Sequence, residues 1–386
     1  MKKSLLLLCY LLLTVKGWTY DFEKDGIYYN LLSPGVEVTY GSPNFNSYSG
    51  EVTIPQTVVR GDIYYSVNSI SDNAFRDCTQ LISISIGSNV SSIGNHAFSG
   101  CKALKYFSVS SGNSQYSSKE GVLFAFNETW LYAYPPNAKS TSYVIPDGVE
   151  TISSYAFEGC TYLTSITTPN SLERIDQIYF AGCLGLKEFI ISDDNPLFST
   201  MDGVLFNKDK TELVAYPNAK SKTYSIPNSV TNIKYNTFYG CDNLTSVTIP
   251  NSVVSIGKYA FYGCNGLLSI EIPSSVTTID PQSFKYCTHL KEFIVSDNNK
   301  SFSTLDGLLC NKEKTKLLAY LNAKSSVYTV PDQIISIGNY AFSDCTELTS
   351  ITIPNNVIEI GNSIFSGCIY NHRTTKTNQK YPSVNL

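Results

Sequence analysis

Histidine is scarce in this chain: His96, His289 and His372 are the only three among 386 residues. A thiol or hydroxyl nucleophile needs a base beside it, and a zinc site needs clustered Cys or Cys with His. Neither pattern is present, since no two cysteines form a Cys-x-x-Cys pair. The Gly-x-Ser-x-Gly elbow, the phosphate-cradling loop and the His-Glu-x-x-His helix are missing too. No catalytic residue, cofactor or metal is therefore assigned, and the chain is read as not an enzyme. Basic residues are outnumbered, 28 against 32 acidic ones, a balance that disfavours nucleic acid as a partner. Beyond the N-terminus no apolar run approaches the ~20 residues a membrane-crossing helix requires.

What the chain has in quantity is apolar and aromatic material. Hydrophobic residues make up 42%, with 28 Tyr and 19 Phe, enough for a buried core and unlike a disordered chain. Residues 1–17 read as a secretory signal peptide: Lys2 and Lys3 precede the apolar run Leu5–Val15, and Gly17 supplies the small residue before a cut. The run is too short for a membrane anchor, and Cys9 lacks the small residue that would precede a lipidated cysteine. Removing the segment, with Lys2, Lys3 and Lys16, leaves 25 basic and 32 acidic residues and a formal charge of −7. The mature chain is expected to be secreted or held at the cell surface, without a membrane span.

Internal repetition dominates the rest. Cys78, Cys101, Cys160, Cys183, Cys241, Cys264, Cys287, Cys345 and Cys368 are separated by 23 residues or by 58 to 59. Two consecutive short units read LTSVTIPNSVVSIGKYAFYGC (244–264) and LLSIEIPSSVTTIDPQSFKYC (267–287). In the first, Leu244, Val247 and Ile249 give a short strand with one buried face. Pro250 ends it, because proline cannot donate to a ladder. Val253 and Ile256 line a second extended side, and Ala260-Phe261 begins a tight helical turn that closes the coil at Cys264. One such coil has too few buried side chains to stand alone, and stacking supplies the missing burial.

This unit resembles the leucine-rich repeat of the BspA-like family of bacterial surface proteins, from about Val52 to Cys368. It departs from better-known leucine-rich repeats, which carry Asn or Cys after the strand and a longer helix. The resemblance implies a β-rich solenoid, a right-handed parallel-β superhelix with short helical turns and a strand-lined concave face. It also implies adhesion to host extracellular proteins or to other microbes.

The longer spacings hold a second module. NPLFSTMDGVLFNKDKTELVAYPNAKSKTYSIP from Asn195 matches NKSFSTLDGLLCNKEKTKLLAYLNAKSSVYTVP from Asn299, and a weaker copy spans 113–146. Asp-Gly or Glu-Gly, an apolar run, a turn and another apolar run predict three β-hairpin inserts. Cys310 occupies the place of Phe124 and Phe206, as a hydrophobe. Before the solenoid, residues 18–50 alternate around Ser33-Pro34-Gly35 and predict a β-hairpin cap. The repeat region is placed at 51–368, and 369–386, which lacks a buried pattern, is taken as a polar tail.

Disulfides are the first reading of cysteines in an oxidising compartment, and the strand spacing permits them. The ladder, however, has nine members, and each Cys follows a Phe in an inward turn. Packed thiols are the favoured reading. His96 and His289 fall at variable positions taken to face solvent. SDDNP (192–196) and SDNNK (296–300) are read as Asx-rich turns in preference to calcium loops.

Surface is then the candidate site. The outward positions of the strands are Ser83 and Ser85, Ser165 and Thr167, Ser246 and Thr248, Ser269 and Glu271, and Ser350 and Thr352. The strands leading into inserts add Tyr106, Glu188 and Glu292. A long polar sheet with aromatic and acidic points suits a protein or glycan ligand. The function expected is adhesion by an exported, non-enzymatic binding protein. Polysaccharide binding or a structural role in the cell envelope is the alternative.

Overall fold

The computed structural model describes residues 19–176, 180, 182–368 and 373–376. The signal-peptide assignment, and all of the assigned tail except 373–376, lie outside the described residues. The described residues form parallel-strand β-solenoid turns, about 13 in all. The chain divides into two compact units, residues up to 139 with 148–160, and 140–147 with 161 onward.

In the second unit the coil at 244–264 illustrates how sequence becomes structure. Val247 and Ile249 are buried while Ser246 and Thr248 are exposed, as alternation on a strand requires. After Pro250 the chain turns, with Val253 N–H donating to Pro250 O at 3.1 Å. It then enters the two-residue strand Ser255–Ile256. That strand pairs in parallel with Asn232–Ile233 before it and Thr278–Ile279 after it. Phe261 N–H reaches forward to Ser283 O at 2.9 Å, so the coil bonds to its neighbours on its second side as well.

The expected helical turn is a single hydrogen-bonded turn, and no helix occurs among the described residues. Cys264 N–H donates to Phe261 O at 3.2 Å. Tyr259 and Gly263 on either side of that turn have φ of 56° and 66°, and left-handed backbone cannot propagate a right-handed helix. The turn aims Phe261 inward, where it stacks between Phe238 and Phe284 at 4.9 and 5.3 Å with planes within 7°. Phe157 in the first unit and Phe261 and Phe342 in the second are all buried.

Each insert is three-stranded. Phe198–Met201 and Val204–Asn207 pair antiparallel across Asp202-Gly203. The two turn residues have φ of 49° and 71°, the left-handed pair that a two-residue hairpin turn demands. The third strand, Glu212–Ala215, pairs with Val204–Asn207 and then in parallel with Asn232–Ile233. The insert thus rejoins the short-strand ladder. Strands 302–305, 308–311 and 316–319 repeat this in the same unit, and 116–119, 122–125 and 130–133 do so in the first. Phe124, Phe206 and Cys310 are buried and pair with Leu131, Leu213 and Leu317.

One asparagine clips each insert to the preceding coil. Asn299, fully buried, donates Nδ2–H to Pro273 O and Val276 O at 2.7 and 3.0 Å. Its Oδ1 accepts from Ser301 N–H and Phe302 N–H at 2.9 and 2.8 Å. Asn195 and Asn113 make the equivalent bonds.

At the N-terminal side Phe22–Lys24, Ile27–Leu31 and Val36–Thr39 form an antiparallel meander. Its last strand runs parallel to Ile63–Ile70, and Tyr29, Val36 and Val38 are buried. Within the stretch assigned as tail, Arg373–Lys376 adds a parallel strand to Ser350–Ile353. Among the described residues no helix is long and apolar enough to cross a membrane.

Candidate interaction surface

The long strands set the candidate residues in rows, because parallel neighbours in register bring equivalent outward positions side by side. In the first unit Glu51, Ser83 and Tyr106 form one row, and Thr53, Ser85 and Ser108 the next. Tyr106 is exposed, and its hydroxyl reaches Glu51 Oε1 at 3.4 Å, past the intervening strand. Ser83 lies under that bridge and is buried, at 3% exposure. Its assignment as a contact residue is therefore corrected, for the tyrosine covers it. Ser85 is half-buried and accepts a hydrogen bond from the Ser108 hydroxyl at 2.7 Å.

In the second unit Ser142, Ser165 and Glu188 form a row beside Val144, Thr167 and Ile190. Ser269 pairs with Glu292, and Glu271 with Ile294. Ser246 and Thr248 pair with Thr223 and Ser225, and Ser350 and Thr352 with Val327 and Thr329. Glu188, Ser246, Thr248, Glu271 and Glu292 are exposed. Ser165, Thr167, Ser269, Ser350 and Thr352 are half-buried. Ile190 and Ile294, at outward positions of the strands leading into inserts, are exposed, and sequence reasoning missed two further apolar members: Val144 is 66% exposed and Val327 60%. The signal for Val144 and Val327 was there, in strands returning from inserts with an apolar residue at an outward register.

The inserts also frame these rows. Phe189 N–H donates to Gly203 O at 2.9 Å and Phe293 N–H to Gly307 O at 2.8 Å. The hairpin turn thus lies against the strand carrying Glu188 or Glu292. A Cβ on Gly203 would collide with Cβ of Glu188, so the turn sits as close as glycine permits.

Chemistry elsewhere is absorbed by packing. His96 is half-buried, its ring 4.1 Å from that of Tyr155, which corrects its reading as solvent-facing; His289 is exposed, and His372 lies outside the described residues. The Asp and Asn of 192–196 and 296–300 include the two buried clips, Asn195 and Asn299. Among the described residues no cluster of three His, Cys, Asp or Glu could hold a metal. Asp344, at a position glycine holds in most coils, is buried against Lys285, 3.3 Å away. Burial raises its carboxyl above the ordinary range, against the opposing pull of Tyr286 and Lys285.

The ten described cysteines are free thiols. Between consecutive coils the thiol donates to the preceding Phe carbonyl: Cys264 to Phe238 O at 3.0 Å and Cys287 to Phe261 O at 2.9 Å. Cys101 and Cys368 do the same to Phe75 O and Phe342 O. Cysteine is thus a small hydrophobe with one weak donor, placed where a carbonyl needs it. Burial pushes Cys287 up to about 12 and Cys310 up to about 11, and the thiolate is the reactive form. In the native protein at pH 8 these cysteines, apart from half-buried Cys368, are therefore expected to resist maleimide labelling. All should label after unfolding in guanidinium without reductant. Mass spectrometry of the unfolded protein decides it, since unlabelled pairs would reveal disulfides.

A family model described as BspA type leucine rich repeat region, in six copies, matches residues 56–126, 131–218, 210–306 and 315–384. Among solved structures, a leucine-rich repeat protein from Eubacterium ventriosum is 22% identical, covering 94% of this chain and 96% of that one, with a TM-score of 0.51. A leucine rich cell surface protein from Faecalibacterium prausnitzii is 23% identical, covering 90% of this chain and 74% of that one, with a TM-score of 0.37. The pneumococcal vaccine antigen PcpA is 17% identical over 90% of this chain and 98% of that one, with a TM-score of 0.40. No curated protein matches the sequence.

Proposed function

The chain belongs to the BspA-type leucine-rich repeat family, and from that premise we propose that it is an exported, non-enzymatic adhesion protein. It attaches to host extracellular proteins or to other cells through the outward rows of its long strands. Family and fold are those of leucine-rich-repeat binding proteins, which use extended strand surfaces to dock large partners. The observation that carries the reading is the pair of adjoining rows Ser142–Ser165–Glu188 and Val144–Thr167–Ile190. They place exposed valine and isoleucine beside hydroxyls and a carboxylate, the mixture of apolar and hydrogen-bonding surface that protein interfaces use. Export is supported by the order of basic, apolar and small residues in 1–17. The division into signal peptide, cap, solenoid and tail belongs to the same proposal.

A second reading, glycan binding, is favoured by a row of part-exposed rings on the turn side. Tyr239 and Tyr262 stack at 4.3 Å, and Tyr286 follows at 4.9 Å. Such amphipathic rings present an apolar body and a polar tip. Binding to immobilised fibronectin, to fibrinogen and to a glycan array separates the two readings. Combining Ile190→Arg with Ser246→Arg is expected to weaken protein capture at least ~10-fold while Tyr262→Ala leaves it unchanged. Capture of glycans alone, lost only in Tyr262→Ala, would establish the second reading. Protein capture insensitive to the arginine pair would overturn the first.

A further inference from the structure

The third insert borders a space that its counterpart in the first insert fills with a side chain. Tyr132 and Leu318 hold the same register, each following the leucine (Leu131, Leu317) that pairs with Ile152 or Ile337. In the first unit the Tyr132 hydroxyl donates to Ile93 O at 2.8 Å, and its ring packs edge-on against Tyr116 at 5.7 Å. Ile93 ends a short strand that pairs only backward, with Ile63–Ile70. In the second unit the equivalent strand is Thr278–Ile279, the last of its sheet, and the residue at the place of Tyr116 is Phe302. Leu318, Phe302 and Ile279 all line a cavity of about 200 Å³, where the first insert has its tyrosine ring.

The backbone of that cavity carries the equivalent acceptor, Ile279 O. Between consecutive coils, Ile256 O accepts Asp280 N–H at 3.0 Å. One period on, the insert displaces the next coil amide, and no donor among the described residues meets Ile279 O. Phe284, Leu309 and Leu321 extend the apolar wall beside the polar Asp280, Lys316 and Ser343, with Pro281 and Asn339 exposed at the rim. Lys285, also on the wall, is engaged by Asp344. An apolar cavity of roughly 150 Å³ accommodates one benzene ring, so this one, of about 200 Å³, has room for a ring with a substituent.

We propose that this cavity is a binding site for a small phenol, a single aromatic ring whose hydroxyl donates to Ile279 O as Tyr132 donates to Ile93 O. The site is separate from the outward strand rows, and its ligand is independent of any adhesion partner. The probe is 4-methylphenol, the tyrosine side chain as a free molecule. Calorimetry on the full chain is expected to give saturable binding to one site with a dissociation constant below about 1 mM, a range open to a ligand of this size in a partly open, mainly apolar pocket.

Leu318→Tyr, which supplies the internal ring, should weaken binding at least ~10-fold while keeping the native circular dichroism spectrum. Toluene, which lacks the hydroxyl, should bind several-fold more weakly than 4-methylphenol, since the carbonyl is then left unpaired. Should Leu318→Tyr fail to fold, nuclear Overhauser contacts between the phenol ring and the Ile279 and Leu318 methyls of the unmodified protein locate the site. Absence of saturable binding, equal affinity in folded Leu318→Tyr, equal affinity for toluene, or contacts elsewhere would each overturn the proposal.

Discussion

Replacing Asn299 with alanine is expected to destabilise the second unit by about 3–5 kcal/mol, because one side chain satisfies four backbone groups at once. Its amide donates to Pro273 O and Val276 O and accepts from Ser301 N–H and Phe302 N–H. Asn299 is fully buried, so water cannot replace those bonds without opening the coil. Each orphaned group then carries its desolvation penalty. The loss should be local, since repeat proteins are stabilised coil by coil through neighbour interfaces. Hydrogen exchange is expected to report lost protection in strands 302–305, 308–311 and 316–319 before the first unit responds. Asn299→Asp keeps the acceptor and loses both donors, and at neutral pH it buries a charge, so it should be no better than alanine. A change under ~0.5 kcal/mol, the size of an ordinary surface substitution, would mean the clip is dispensable.

Phe261→Ala should cost a similar ~3–5 kcal/mol, here through an apolar void. The ring is fully buried between Phe238 and Phe284. The backbone on both sides is pinned by inter-coil hydrogen bonds, Phe238 N–H to Ala260 O at 2.8 Å and Phe261 N–H to Ser283 O at 2.9 Å. Pinned coils cannot close over the gap, and incomplete relaxation is what makes such cavities expensive. Leu268→Ala, seven residues later and 53% exposed, is the matched control and should move stability by no more than ~0.5 kcal/mol. Guanidinium titration of the three proteins checks the contrast, and equal midpoints for the two variants would refute it.

How much of this was legible follows from the range over which each feature is encoded. The coil is written locally. Val247 and Ile249 two apart, Pro250 after them and Phe261 before Cys264 recur at 23 residues, and every repetition reinforces the same inward assignment. That the helical turn stops at a single turn was not legible, because the left-handed residue ahead of it is not glycine: Tyr155, Tyr259 and Tyr340 have φ of 64°, 56° and 58°. In the sequence Asn195 and Asn299 read only as members of Asx-rich turns. Their burial depends on coil carbonyls 23 to 26 residues back, and the available sign was one Asn at a fixed offset in all three inserts. Ser83 shares its register with Glu51 and Tyr106, but its burial comes from Tyr106 reaching Glu51 past the intervening strand. Such a contact depends on side-chain length and rotamer, which no periodicity records. The cavity at Leu318 likewise emerges only when Tyr132 is seen donating to Ile93 O.

The central claim is that consecutive coils of the second unit are interchangeable layers of one dry interior, each held by the next. Deleting residues 251–273 removes one 23-residue period and substitutes Val276 for Val253, Ile279 for Ile256, Phe284 for Phe261 and Cys287 for Cys264. Deleting residues 251–261, about half a period, instead rotates polar side chains inward, and one register change of this kind inverts the buried face. Circular dichroism with thermal melting is the deciding measurement. The full-period deletion is predicted to keep the β spectrum and a cooperative melt, and the half-period deletion to lose both. A full-period deletion as unfolded as the half-period one would contradict the account.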